Sequence, residues 1–364
     1  MSLINNIIGK LNLSPTKEKV VRNVVWAVTG KVVTLLGGLL VGIFVARYLG
    51  PEQYGLMSYI MSYVALFQVL ASFGMDNIEI REEAKTLEER DKIIGTAFIL
   101  KIGFALITML LVAITAWLFE ADSFTKWMII LYSFSMIMNS FGVIRNYFTS
   151  LVWNEYIVKT EIYRTFIGAG IKVVLLLINA PLMWFIVATL FDTMLIAGGY
   201  IVSYRSKIDS IRKWTFDREQ AKYLIKESFP LAVSLSAVLI YNRIDQIMVG
   251  KMLTNTELGH YSVACRFVEI LMFIPAILAQ TISPILVRIH KTNFAEYRTK
   301  TQLFVNITVW LCIILSTMIA VCSHWLILFT FGKAYLPATI ILQVLIFKSV
   351  GDALSSTAGN MIII

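Results

Sequence analysis

Ile102-Gly103-Phe104-Ala105-Leu106-Ile107-Thr108-Met109-Leu110-Leu111-Val112-Ala113-Ile114-Thr115-Ala116-Trp117-Leu118 contains no charged side chain and no proline. A bilayer core of about 30 Å needs roughly 20 apolar residues of helix, so residues 93–118 around this run predict a transmembrane helix. The run is continuously apolar rather than alternating with period two, which argues against a barrel strand. Nine further stretches read alike: 23–46, 54–78, 127–151, 161–179, 182–203, 229–250, 259–285, 302–330 and 338–360. The 364-residue chain is 58% hydrophobic and 15% charged, with a mean hydropathy of +0.75. Soluble domains carry about 25% charged residues, and a soluble fold could not hide this much apolar surface. The sequence therefore predicts an all-α polytopic membrane protein of about ten spans.

Orientation follows from the basic residues of the connections. One side collects twenty-one, including Lys10, Lys17, Lys19 and Arg22, then Arg81 to Lys92, and Arg205 to Lys226; the other side has only Arg47, Lys126, Lys251 and Lys333. This places the N-terminus in the cytoplasm and makes the net charge of +9 a matter of topology, with no nucleic-acid partner required. No signal peptide is visible. Residues 1–22 read as a cytoplasmic or interfacial segment, 23–203 as a first six-helix lobe, 204–228 as a basic cytoplasmic connection, and 229–364 as a second lobe of about four helices.

Three scattered cysteines and three scattered histidines suggest neither a disulfide scaffold nor a metal site, and no cofactor is called for. Gly30-Lys31 lacks the spacing of a phosphate-binding loop, and no nucleophile elbow, HExxH or paired-carboxylate motif occupies an aqueous loop. No catalytic residue is assigned. External connections such as Glu120-Ala121-Asp122-Ser123 are too short for an enzyme site.

An internal repeat is readable. Leu49-Gly50-Pro51-Glu52-Gln53-Tyr54-Gly55 through Ser58 is echoed by Leu253-Thr254-Asn255-Thr256-Glu257-Leu258-Gly259 through Ser262. Each copy joins the first two helices of a half, and six intervening spans give both copies one orientation, as in parallel repeats. Two side-by-side bundles with a cavity between them are expected.

Charged residues within the spans define the candidate site, because each costs about 2.5–3.5 kcal/mol at the bilayer centre. Arg266 with Glu269 and Lys348 with Asp352 can pair within their own helices, while Asp76, Lys101 and Arg145 lie near span ends and can snorkel. Lys31 has no acidic residue within a turn, and Lys172 is similarly isolated. Arg243 stands beside Asn242, Asp245 and Gln246, but Arg243 and Asp245 are two apart and point to different sides. Lys31, Arg243, Lys172 and Asn242 are accordingly read as lining a cavity that favours an anionic cargo. Asp192, Asp245 and Glu269 are the candidates for coupling to H⁺ or Na⁺.

Trp26 through Gly42, followed by Ala46-Arg47-Tyr48-Leu49-Gly50-Pro51-Glu52-Gln53-Tyr54-Gly55, resembles the start of bacterial polysaccharide (O-antigen type) flippases. Asp245 through Gly250 and Glu257 through Ala264 resemble the start of their second lobe. These proteins belong to the multidrug/oligosaccharidyl-lipid/polysaccharide exporter superfamily. The resemblance implies passage of an undecaprenyl-pyrophosphate-linked oligosaccharide from the cytoplasmic to the outer leaflet of the inner membrane. It also implies membrane lipids, a polysaccharide polymerase and a chain-length regulator as partners. The family has twelve to fourteen helices, so a chain ending on Met361-Ile362-Ile363-Ile364 reads as truncated. The alternatives are a cation-coupled multidrug exporter of the same fold, a membrane glycan polymerase and an inactive truncated membrane protein. Isolated interior bases outnumber isolated acids, which favours the flippase over the multidrug exporter.

Overall fold

The computed structural model describes residues 15–85 and 89–362, so most of the expected interfacial segment 1–22 and the final Ile363-Ile364 lie outside the described residues. All regular elements among the described residues are helical. The decisive apolar run forms the centre of an unbroken helix, α3 (Arg90–Phe119), preceded by α1 (Pro15–Ser72) and α2 (Asp76–Lys85). Helix α1 carries the expected span 23–46 and most of 54–78, whose last residues fall on α2. The turn expected at 49–53 is a break at one residue, Gly50, with φ 69° and ψ 172°. Glycine enters that region without a Cβ clash, and Pro51, which has no N–H to lose, restarts the helix.

The stretch 127–151 is divided into α4 (Ser123–Ser133), α5 (Ser135–Asn139) and α6 (Gly142–Ser150). Serines mark the breaks: the Ser133 hydroxyl donates to the Ile130 carbonyl at 2.7 Å and that of Ser140 to Met136 at 3.3 Å. Such local bonds compete with the helical ladder. The chain continues through α7 (Asn154–Leu177), α8 (Leu182–Lys207), α9 (Arg218–Met252), α10 (Asn255–Thr292), α11 (Phe294–Thr330), α12 (Ala338–Leu345) and α13 (Lys348–Ile362). Seven helical stretches among the described residues are long and apolar enough to cross a membrane. The chain is a multi-pass membrane protein.

Two compact units divide the helices. The first takes the chain up to Gly42 and Leu56–Met252; the second takes Ile43–Gly55 and everything from Leu253. The sequence reading placed the division in the basic connection 204–228, whereas the break in packing falls after α9. The connection is sewn to the first unit: the Thr215 N–H donates to the Asp91 carbonyl at 3.1 Å and the Asp217 N–H to Thr96 Oγ1 at 3.0 Å. The Trp214 indole donates to the Tyr204 hydroxyl at 3.1 Å. These join a core of Ile94, Ile144, Phe148, Tyr204 and Leu224.

The second unit is built partly from the repeat. A Cβ at Gly55 would strike the Asn255 carbonyl oxygen, and one at Gly259 would strike that of Pro51. The contact is reciprocal, each glycine meeting the residue four positions earlier in the other copy. Small residues at that spacing allow helix backbones to close in. Tyr335, fully buried, donates its hydroxyl to the Ala46 carbonyl at 2.8 Å, and Arg47 donates to the Phe329 carbonyl.

Candidate functional site

Asp76, Glu79 and Glu83 are spaced three and four apart, which sets three carboxylates on one face of α2. Glu79 and Glu83 are 0% and 1% exposed. Opposite them, α3 contributes Lys101 and α6 contributes Asn146, both buried. The Lys101 ammonium lies 2.6 Å from Asp76 Oδ1 and 2.7 Å from Glu79 Oε1. The Asn146 amide donates to the same two carboxylates, at 2.9 Å to Asp76 and 2.6 Å to Glu79. Lys101 was expected to snorkel. It is 2% exposed and held inside by two acidic partners, because charge-assisted bonds replace the water it gives up.

The cluster forms one wall of a cavity of about 350 Å³ within the first unit, where Asp76 and Lys101 are joined by Gln68, Arg145, Glu161 and Tyr200. The Asp76 side chain is 55% exposed and meets the cavity. The site therefore grades from a cavity-lining carboxylate at Asp76, through a buried ion pair, to a fully enclosed Glu83. The acidic spacing on α2 was visible in the sequence. What it could not show was the depth of α2 or the partners that α3 and α6 bring.

Lys172 is corrected. It is not isolated: its Nζ lies 2.6 Å from Asp192 Oδ2 across the α7–α8 hairpin, with both side chains mostly buried. The turn at 178–181 folds the two helices back to back, and Gly168, one turn before Lys172, lies directly against the Asp192 carboxylate. Asp192 is thus the ion-pair partner of Lys172. Glu269 likewise accepts from Arg266 at 3.0 Å, as its i, i+3 spacing anticipated.

Lys31 is exposed on α1; on α9, Asn242 is exposed and Arg243 and Asp245 are half-buried. The Asp245 carboxylate accepts the Gln246 N–H at 2.7 Å, and Gln246 bonds Ser62, tying α9 to α1. Lys31, Lys172, Asp192, Asn242, Arg243 and Asp245 all belong to the first unit and Glu269 to the second. The expected second lobe 229–364 includes Arg243, whereas its helix α9 falls in the first unit. Among the described residues no group of three or more His, Cys, Asp or Glu is arranged to hold a metal.

The family of polysaccharide biosynthesis proteins matches residues 20–290. No curated protein matches the chain. Solved structures share its fold. An inward-facing multidrug resistance MATE family transporter of the MOP superfamily is 15% identical, with a TM-score of 0.62, over 91% of this chain and 83% of that one. An outward-facing MATE family transporter is 15% identical, with a TM-score of 0.55, over 95% and 84%. A MOP superfamily transporter from Pyrococcus furiosus, described as having a binding pocket of reverse polarity, is 14% identical, with a TM-score of 0.53, over 95% and 84%. At such identities the likeness is one of fold, and that fold is the one adopted by transporters of this superfamily. Matched over most of its length and folded in this way, the chain belongs to the polysaccharide biosynthesis protein family.

Proposed function

We propose that this protein flips a lipid-linked oligosaccharide, carried on undecaprenyl pyrophosphate, from the cytoplasmic to the outer leaflet of a bacterial inner membrane by alternating access. The observation that carries this reading is the match to a polysaccharide biosynthesis family on a transporter fold. A sugar cannot cross hydrocarbon unaided, because its hydroxyls would lose water without gaining partners. A protein path that satisfies those hydroxyls and compensates the pyrophosphate supplies what the bilayer lacks.

In this reading Lys31 and Arg243, with Asn242 beside it, meet the phosphates. Guanidinium offers a bidentate fork and ammonium a point charge. Lys172, held by Asp192, is withdrawn from that set and stabilises the α7–α8 hairpin. Asp192, Asp245 and Glu269 are the coupling candidates, Asp192 paired with Lys172 and Glu269 with Arg266. The reverse-polarity pocket described for the Pyrococcus furiosus relative supports the idea that this fold accommodates cargo unlike that of its multidrug members.

The test is rescue of surface glycan in a flippase-deficient strain. Wild type should restore the glycan, and Lys31→Ala and Arg243→Ala should each reduce rescue at least tenfold at unchanged protein level. Normal rescue by both variants would overturn the cationic path. Drug resistance without glycan rescue by the wild type would replace the flippase with the multidrug exporter.

A further inference from the structure

Glu83 lies outside the proposed cargo path, yet among the described residues of the first unit it is the most enclosed acid after Glu79. It is 1% exposed, and neither carboxyl oxygen has a hydrogen-bond partner. An ionised carboxylate taken out of water without donors is so costly that the group takes up a proton instead. The groups around it reinforce this. Glu79, one turn away on α2, presents a like charge, and the Lys101 ammonium of α3 is already committed to Glu79 and Asp76. From α6, Tyr147 faces it, with Arg90 of α3 bonded to that tyrosine. On the α9 side, Tyr223 and Glu227 are engaged by Arg81 and Glu82.

We propose that Glu83 is a proton-binding site, exchanging its proton with the cavity of the first unit through Glu79 and Asp76. The three carboxyls form a graded line from enclosed Glu83, through Glu79, to Asp76 on the cavity wall. The step balances simply: the Glu83 O–H bond breaks, the proton passes to the Glu79 carboxylate and on to Asp76, and cavity water accepts it. Lys101 remains an ammonium throughout. Its three N–H donors can redistribute toward whichever carboxylate is charged. Proton occupancy at Glu83 therefore sets how firmly Lys101 grips Asp76, and so the charge that the cavity presents. The site stands whatever the cargo; its use in coupling rests on the transport reading above.

The test is infrared spectroscopy of the purified full chain in lipid nanodiscs. At neutral pH the wild type should show a protonated-carboxyl C=O band that Glu83→Gln loses and Asp76→Asn retains. Glu83→Gln should keep the wild-type melting temperature, since an uncharged side chain replaces an uncharged one. The same protonated-carboxyl band in wild type and Glu83→Gln would overturn the site. On transfer to D₂O the band should shift within minutes, through the cavity. A shift only on unfolding would overturn the exchange route while leaving the glycan-rescue experiment untouched.

Discussion

Lys172 and Asp192 show how two charges that look expensive singly become one structural device. Each alone in the membrane invites a functional reading, but at 2.6 Å across a hairpin they compensate one another. Removing one partner should therefore be worse than removing both charges. Lys172→Met leaves the Asp192 carboxylate stranded and should cost about 3–5 kcal/mol, whereas Lys172→Met with Asp192→Asn should recover most of it. Thermal unfolding of the full chain in detergent measures both, and equal losses would deny the pair its role. Gly168 belongs to the same device, because a side chain there would occupy the carboxylate's place.

Helix α9 begins at a cap that titrates. The Asp217 carboxylate accepts the Gln220 N–H at 2.7 Å, with Lys92 at 3.4 Å. The backbone donor first, and then the lysine, hold this half-buried carboxyl below its ordinary value. A carboxyl lowered in the folded state adds stability above its unfolded value of about 4, and that stability is lost as pH falls through the folded value. Asp217→Asn caps without titrating. Protection of the amides in the first turn of α9, taken relative to their intrinsic exchange rate, should therefore fall below about pH 4 in the wild type and stay level in the variant. An equal acid response in both would show that the cap is not the titrating element.

For the whole molecule, the basic residues predict which connections meet the cytoplasm. The exposed Arg212 lies on the basic side and the exposed Ala121 on the other. With Cys265, Cys312 and Cys322 replaced, Ala121→Cys should react with a membrane-impermeant maleimide in intact cells. Arg212→Cys should react only after permeabilisation. The reverse pattern would invert the molecule and require the proposed flow of cargo to be recast.

The helical, membrane-spanning class was legible from runs such as Ile102–Leu118, because the cost of unsatisfied backbone in lipid leaves a long apolar segment almost no choice but helix. The break at Gly50 was legible as a turn, since Gly-Pro punctuates any helix, though its reduction to one residue was not. The repeat was legible too, but only packing showed Gly55 and Gly259 meeting each other's carbonyls. Partners were what the sequence withheld. Lys101 looked like a snorkelling end residue and Lys172 like a lone cavity cation, because hydropathy carries no record of which helices will lie beside them. Burial depth and counter-ion distance are properties of packed helices, and these turned Glu79 and Glu83 from background charges into an enclosed acidic line beside Lys101.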